Sequence, residues 1–479
     1  MWPPPARATL ALLTLLLATA CSRPPRLAAD LVITRARIWT GNSAQPSATA
    51  VAVIGDRIVD VGDDDQIERW QGAGTTVLNA EGRRLIPGFN DAHTRFASGG
   101  LELDEVDLRD AATAAEFARR INERAKAKPG EWILGGRWDD RRWTPPQLPT
   151  RALIDDITNS TPVFLVRDDG KMALANAAAL GRAGITERTS APPGGALVRD
   201  ANGFPTGVLQ GAAMEIVARV IPRMAPELRL RAVKRALELA ESLGITSVQD
   251  IGASYEDIAA YAELANRGEL TVRVYAVPPE GGWYDQAKLG VHRAFGSPWL
   301  RIGAVHAAFD AAGDTAAMRT RLMAADHAGL QVSVETIGDT APSRLLDLLD
   351  EIARANGGRD RRFRIDGMRI DGSDRARLAA LHAIAPLGSG WPSAPLNPML
   401  TLQDATARRL TVVEALAAHT SGAAFAEFQE NDKGTIARGK LADMILLSDD
   451  ILAAPPAPLK DVRVLTTIVG GKIVHQRKP

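Results

Sequence analysis

The sequence predicts an α/β protein: a (β/α)8 TIM-type barrel, incomplete around its seventh strand, flanked by a small β-sandwich built from both chain ends. Three observations predict it. Strand-period segments cluster at the two ends of the chain. Short apolar strands alternate with longer helical stretches through its middle. At 479 residues, the chain is too long for one small core and ample for a large domain with an accessory one.

Residues 1–21 read as an export signal of the lipoprotein type. A short, weakly basic start, 1–7, precedes an apolar run, 8–17, that is too short to span a bilayer. The run ends in Leu17-Ala18-Thr19-Ala20-Cys21, which resembles the lipobox of bacterial lipoproteins, where the cysteine is lipidated and becomes the new N-terminus. The usual box has leucine three residues before the cysteine; here Ala18 holds that place and Leu17 lies one further back. The resemblance implies a protein exported and lipid-anchored in the bacterial cell envelope, with Cys21 as the lipidation site. Cys21 is the only cysteine, so no disulfide within the chain can staple the fold.

A Pro/Arg-rich spacer, 22–30, leads into the sandwich, expected over 31–86 plus 430–479. Residues 31–39 alternate apolar and polar at the strand period. Similar signals follow at 50–54, 58–61 and 76–78, with Gly55-Asp56 as a turn, and together they predict a small antiparallel sheet. At the far end 441–447 and 462–474, broken by Gly470-Gly471, repeat the pattern. Between them, 87–429 reads as the barrel. Helical stretches at 228–243, 315–328 and 342–355 alternate with strand candidates at 162–166, 245–249, 272–277, 300–305 and 331–334, which argues for parallel strands with helical crossovers.

Composition narrows the function classes. Lys+Arg and Asp+Glu both total 57, so no net field draws the chain to nucleic acid, and no Gly-rich phosphate loop is present. A small-molecule ligand or substrate is the expected partner, with the membrane reached through the lipid anchor. In a barrel of this kind chemistry gathers where strands end.

Pro87-Gly88-Phe89-Asn90-Asp91-Ala92-His93-Thr94-Arg95 resembles the Pro-Gly-Phe-Ile-Asp-x-His-x-His signature of the amidohydrolase superfamily. The resemblance continues through Asp169-Gly170-Lys171, Gly203-Phe204-Pro205-Thr206-Gly207, Ile337-Gly338-Asp339, Gly388-Ser389 and Gly439-Lys440-Leu441-Ala442-Asp443. It covers nearly the whole mature chain and is strongest to the subgroup of N-acyl, formamide and imide hydrolases. It implies a hydrolase of non-peptide C–N bonds that uses one or two divalent metals, which polarise the scissile carbonyl and supply hydroxide near neutral pH.

Against that pattern the ligand positions are altered. His93 represents the first paired histidine, but Arg95 stands in place of the second, and a guanidinium offers no lone pair. His306 replaces the bridging lysine, Glu335 the next histidine, Gly367 the following one, and Gly390 the last acidic residue. Lys171 stands where the family has a histidine thought to contact substrate. His93, His306 and Glu335 remain as a donor set able to take a single divalent ion, zinc first; alternatively they are leftovers, with Glu335 paired to Arg95 or Lys171. Asp91, Lys171, Asp310 and Asp366 are the expected pocket residues. About twenty residues separate Arg369 from Gly390, whereas a strand with its helix and crossovers takes roughly thirty, so part of the seventh unit is expected to be missing. Three readings stay open: a hydrolase with an altered single-metal site, a catalytically silent barrel that binds a small ligand or a partner, and plain loss of function.

Overall fold

A computed structural model describes residues 27–222, 224–310, 315–337, 341–366, 372–453 and 458–477. The lipobox, Cys21, Gly367 and Asp339 lie outside them. No helix among the described residues is long and apolar enough to cross a membrane.

The two chain ends share one sheet. Arg37–Trp39, Ser47–Ala48 and Arg84–Pro87 join Met444–Leu447, Val464–Val469 and Lys472–Gln476 in a six-stranded sheet, with Ile445 opposite Ile86. A second sheet of four strands is formed by Leu31–Thr34, Ala50–Ile54, Arg57–Gly62 and Thr76–Asn79. Ile33, Val51 and Val53 of the four-stranded sheet bury against Leu85, Met444 and Ile468 of the other. The expectation of an antiparallel N-terminal sheet needs correction: Leu31–Thr34 runs parallel to Thr76–Asn79, and Arg37–Ile38 parallel to Arg84–Leu85. The hairpin at 50–62 intervenes, so the chain returns to the edge in its original direction.

Six parallel strands carry the middle of the chain: β1 (Phe89–Thr94), β2 (Ile245–Ile251), β3 (Arg273–Val277), β4 (Ala304–Asp310), β5 (Gln331–Ile337) and β6 (Arg364–Asp366). All seven residues of β2 are buried, as a strand covered on both faces requires. β1, β2 and β3 pair in order. Leu300–Ile302 then pairs with β3 and leads through Gly303 into β4, which pairs with β5, and β5 with β6. Helices Tyr255–Asn266, Ala316–His327 and Ala341–Ala355 cross between consecutive strands. The helix Pro226–Ser242 precedes β2. It begins with a proline at its first turn, where no N–H is needed, and it buries Ala232, Val233, Ala236, Leu237 and Ala240 along one face.

Beyond β6 the helix Gly372–Ala380 leads into 384–391, which touches both neighbours. Ile384 is bridged in parallel to Arg364 of β6, and Trp391 in parallel to Thr94 of β1. Gly390 N–H donates to the His93 carbonyl at 2.9 Å and Arg95 N–H to the Trp391 carbonyl at 2.8 Å. One extended run therefore lies between the last parallel strand and the first.

The strand expected at 162–166 is not one of the parallel set. Phe164–Arg167 belongs to a separate six-stranded sheet inserted between β1 and β2, where it runs parallel to Gly135–Trp138 and antiparallel to Met172–Ala175. The turn at Asp169-Gly170 folds the chain straight back and leaves no length for a helical crossover. Trp138 and Trp143 pack beneath this sheet on Phe117, with ring centroids 6.1 and 5.2 Å away, and both are core side chains. Trp132 is half-buried at its edge.

Candidate functional site

Alternation along each strand brings residues two apart to one face. On β1 and just beyond it these are Asp91, His93 and Arg95; on β4 His306; on β5 Ser333 and Glu335; on β6 Arg364 and Asp366. In register, Ser333 faces Arg364 and Glu335 faces Asp366, while His306 faces Ser333. The C-terminal ends of four strands thus place their polar side chains in one cluster.

Two carboxylates organise it. Asp366, fully buried, accepts from Ser333 Oγ at 2.8 Å and lies 3.5 Å from Arg364 Nη2. His93 Nδ1 is 3.4 Å from Asp366, close enough to feel its charge but too poorly aligned for a hydrogen bond. Arg364 also donates to the Ala92 carbonyl at 2.6 Å and to Gln249 Oε1, which ties β6 to β1 and β2 below the site. Burial opposes ionisation of Asp366, yet Arg364, His93 and Ser333 hold its carboxyl well below the usual range. Burial likewise opposes a charge on His93, but Asp366 and Glu335 outweigh it and raise the imidazole above its ordinary value.

Glu335 is the second carboxylate and sits nearer solvent. Arg95 Nη2 donates to its Oε2 at 3.1 Å, His306 Nε2 stands 3.8 Å from the same oxygen, and His93 Nε2 is 4.0 Å from Oε1. His306 is buried and neither ring nitrogen has a hydrogen-bond partner. Burial pushes its imidazole down to about 3, with the positive groups around it adding to the effect against Asp366, so it is neutral near pH 7.

Asp91, also buried, accepts from the Ser389 and His93 backbone N–H groups at 2.9 and 3.2 Å. Its other oxygen has no partner. A Cβ on Gly388 would stand 2.3 Å from the His93 nitrogen, so only glycine lets 384–391 pass this close. Lys171 is exposed on the turn preceding Met172–Ala175 in the inserted sheet, and Asp310 is exposed at the last position of β4. The segment that carries Lys171 belongs to a hairpin of the inserted sheet. Arg364 and Ser333 were missed; their two-residue spacing from Asp366 and Glu335 was the signal. His419 is wholly buried and packs edge-on against Phe89 at 5.4 Å.

The sequence pattern of the Amidohydrolase family matches residues 76–391 and 387–475. The chain belongs to this amidohydrolase family. It is 32% identical to the protein LONG AFTER FAR-RED 3 of Arabidopsis thaliana over 94% of this chain and 92% of that protein. It is also 23% identical to the N-substituted formamide deformylase of Arthrobacter pascens over 94% of this chain and 98% of the relative. Among solved structures, an uncharacterised metal-dependent hydrolase from Pyrococcus horikoshii superposes with a TM-score of 0.73 at 20% identity, covering 90% of this chain and 99% of the other. That likeness gives the amidohydrolase chain a TIM-barrel-type α/β fold.

The metals that this family implies can be tested against the side chains present. They do not fit a two-metal centre: Arg95 brings a fixed positive charge into contact with Glu335, and Gly390 offers no donor. The expected three-ligand set is His93, His306 and Glu335. The strands do bring the three together, but Glu335 is turned to Arg95, and no group of three His, Cys, Asp or Glu among the described residues is arranged to hold a metal ion. A cation placed beside the guanidinium would meet direct Coulomb repulsion.

Proposed function

We propose that this amidohydrolase is a degenerate hydrolase that binds a small amide- or imide-like molecule at the strand ends without the metal-dependent hydrolysis of its family. The observation that carries this reading is the Arg95–Glu335 ion pair at 3.1 Å, formed by two residues that stand in metal-ligand positions. The C–N chemistry comes from kinship, since the formamide deformylase named above is a relative over almost the full chain. Purified mature protein is expected to contain divalent metal well below one ion per chain by elemental analysis. A stoichiometric, tightly bound ion would refute this and favour the single-metal reading, for which the unpartnered His306 nitrogens speak; alanine at His93, His306 or Glu335 would then release it.

In the same reading the barrel is one βα unit short, with 384–391 standing for two strands, and the two facing sheets, 31–86 plus 430–479, form a sandwich beside it. The protein is exported and held at the cell envelope through lipidated Cys21. Replacing Cys21 by serine is expected to move the protein from the membrane fraction to the soluble one, and an unchanged membrane fraction would sink the anchor.

A further inference from the structure

Three basic side chains converge on one loosely held carboxylate. Arg95, His93 and His306 all face Glu335, yet only Arg95 lies within hydrogen-bond distance, and His306 and His93 stand off at 3.8 and 4.0 Å. The side chains of Arg95 and Glu335 are 46% and 30% exposed, so the pair sits at the mouth of the site. An ion pair this exposed contributes little to stability. Below it the His306 side chain is only 7% exposed and both its nitrogens lack partners. A buried, unsatisfied imidazole costs free energy unless a ligand or water completes it.

The arrangement matches what a carboxylate ligand needs. Arg95 spends one of its N–H groups on Glu335 and presents a planar fork suited to bidentate carboxylate recognition. Gly252 forms the wall beside it, so close that a Cβ there would lie 3.2 Å from Arg95 Nη1. His306, neutral, can donate one hydrogen bond inward. Asp366, the nearby buried acid, is already matched to Arg364 and Ser333 and leaves the Arg95 side of the cluster to Glu335.

We propose that the strand-end cluster is a binding site for a small carboxylate-bearing molecule, with Glu335 as an internal carboxylate that gives way when the ligand enters. The inference rests on the metal-free reading above and names the ligand class for that site. An entering carboxylate takes the Arg95 fork and the His306 N–H, and Glu335 swings toward solvent.

The probe is acetate, with chloride at matched ionic strength as control, on the mature chain. Glu335→Ala removes the internal carboxylate and is expected to bind acetate about tenfold more tightly than the wild type by calorimetry, a difference of about 1.4 kcal/mol. Adding Arg95→Ala to that variant is expected to abolish the binding. In the wild type, acetate is expected to shift the His306 ring resonances saturably while chloride does not. Equal affinity in wild type and Glu335→Ala, or binding that survives loss of Arg95, overturns the proposal. Should Glu335→Ala fail to fold, Glu335→Gln, which keeps the shape without the charge, carries the same comparison. Elemental analysis separates the two readings: metal-free protein without acetate exchange defeats only this inference, whereas a stoichiometric metal ion defeats the reading beneath it.

Discussion

Asp366 and Glu335 are neighbours in register yet lie in opposite energetic settings. Asp366 is sealed between Arg364, Ser333 and His93, so removing its charge strands a buried guanidinium. Breaking one partner of a buried pair costs about 3–5 kcal/mol, whereas an exposed pair is worth about 0–1 kcal/mol. Asp366→Asn is therefore expected to lower stability severely, and Glu335→Gln only slightly, in urea unfolding at neutral pH. The same change moves His93. Its imidazole is raised in the fold by Asp366 and Glu335 against burial, so its stabilising contribution is full below the unfolded-state value. That contribution is lost as pH rises through the folded value. In Asp366→Asn the His93 titration, followed by ring-proton resonances, is expected to fall toward or below its ordinary value. A His93 titration unmoved by Asp366→Asn would show that burial and Glu335 alone set it. His306 has the reverse sign: pushed down to about 3, it favours the fold above its unfolded value and penalises it as pH falls toward 3.

At the scale of elements, the parallel strands were legible because each is a short apolar run followed by a helix. The strands expected at 245–249, 272–277 and 331–334 became β2, β3 and β5; β2 and β5 run two and three residues further at their C-terminal ends, and β3 starts one residue later. What the sequence hid was partner choice. The run at 162–166 has the same composition as a barrel strand, and only the short turn after it, 168–171, sends it into an antiparallel hairpin in the inserted sheet. Local pattern fixes the period of an element, but pairing depends on how much chain lies between one strand and the next. The site followed the same logic. His93, Arg95, His306 and Glu335 were visible as residues at strand ends, and the structure brings them together because parallel strands in register deliver those ends to one side. Arg364 escaped notice, although its place two residues before Asp366 puts both on one face.

The whole molecule depends on its last segment. Residues after 430 do more than add strands to the N-terminal sheet; they supply charge to the underside of the parallel strands. Lys433, buried, reaches Glu427 and Ser247 of β2 at 2.8 and 2.7 Å, and Glu427 in turn accepts from Asn90 of β1 at 2.6 Å. Asp443 grips Arg273 of β3 through two hydrogen bonds of 2.7 and 2.9 Å, with both side chains at most 5% exposed. Burial favours the uncharged form of Lys433 and Glu427 opposes that, with burial winning. Loss of any one member leaves a buried partner unmatched and costs stability. A chain ending at 429 would leave Arg273 and Glu427 as uncompensated buried charges, each costing about 3–5 kcal/mol, and would strip the partner strand from Arg84–Pro87. Those penalties together, about 6–10 kcal/mol, are comparable with the 5–15 kcal/mol that stabilises a typical domain. The truncated chain is expected to lose cooperative unfolding altogether, measured by circular dichroism against temperature. Asp443→Ala in the full chain is expected to keep a cooperative transition shifted well below that of the wild type. A truncated chain that still melts cooperatively near the wild-type temperature would mean that the parallel strands are held by their helices alone and that the C-terminal segment is an accessory.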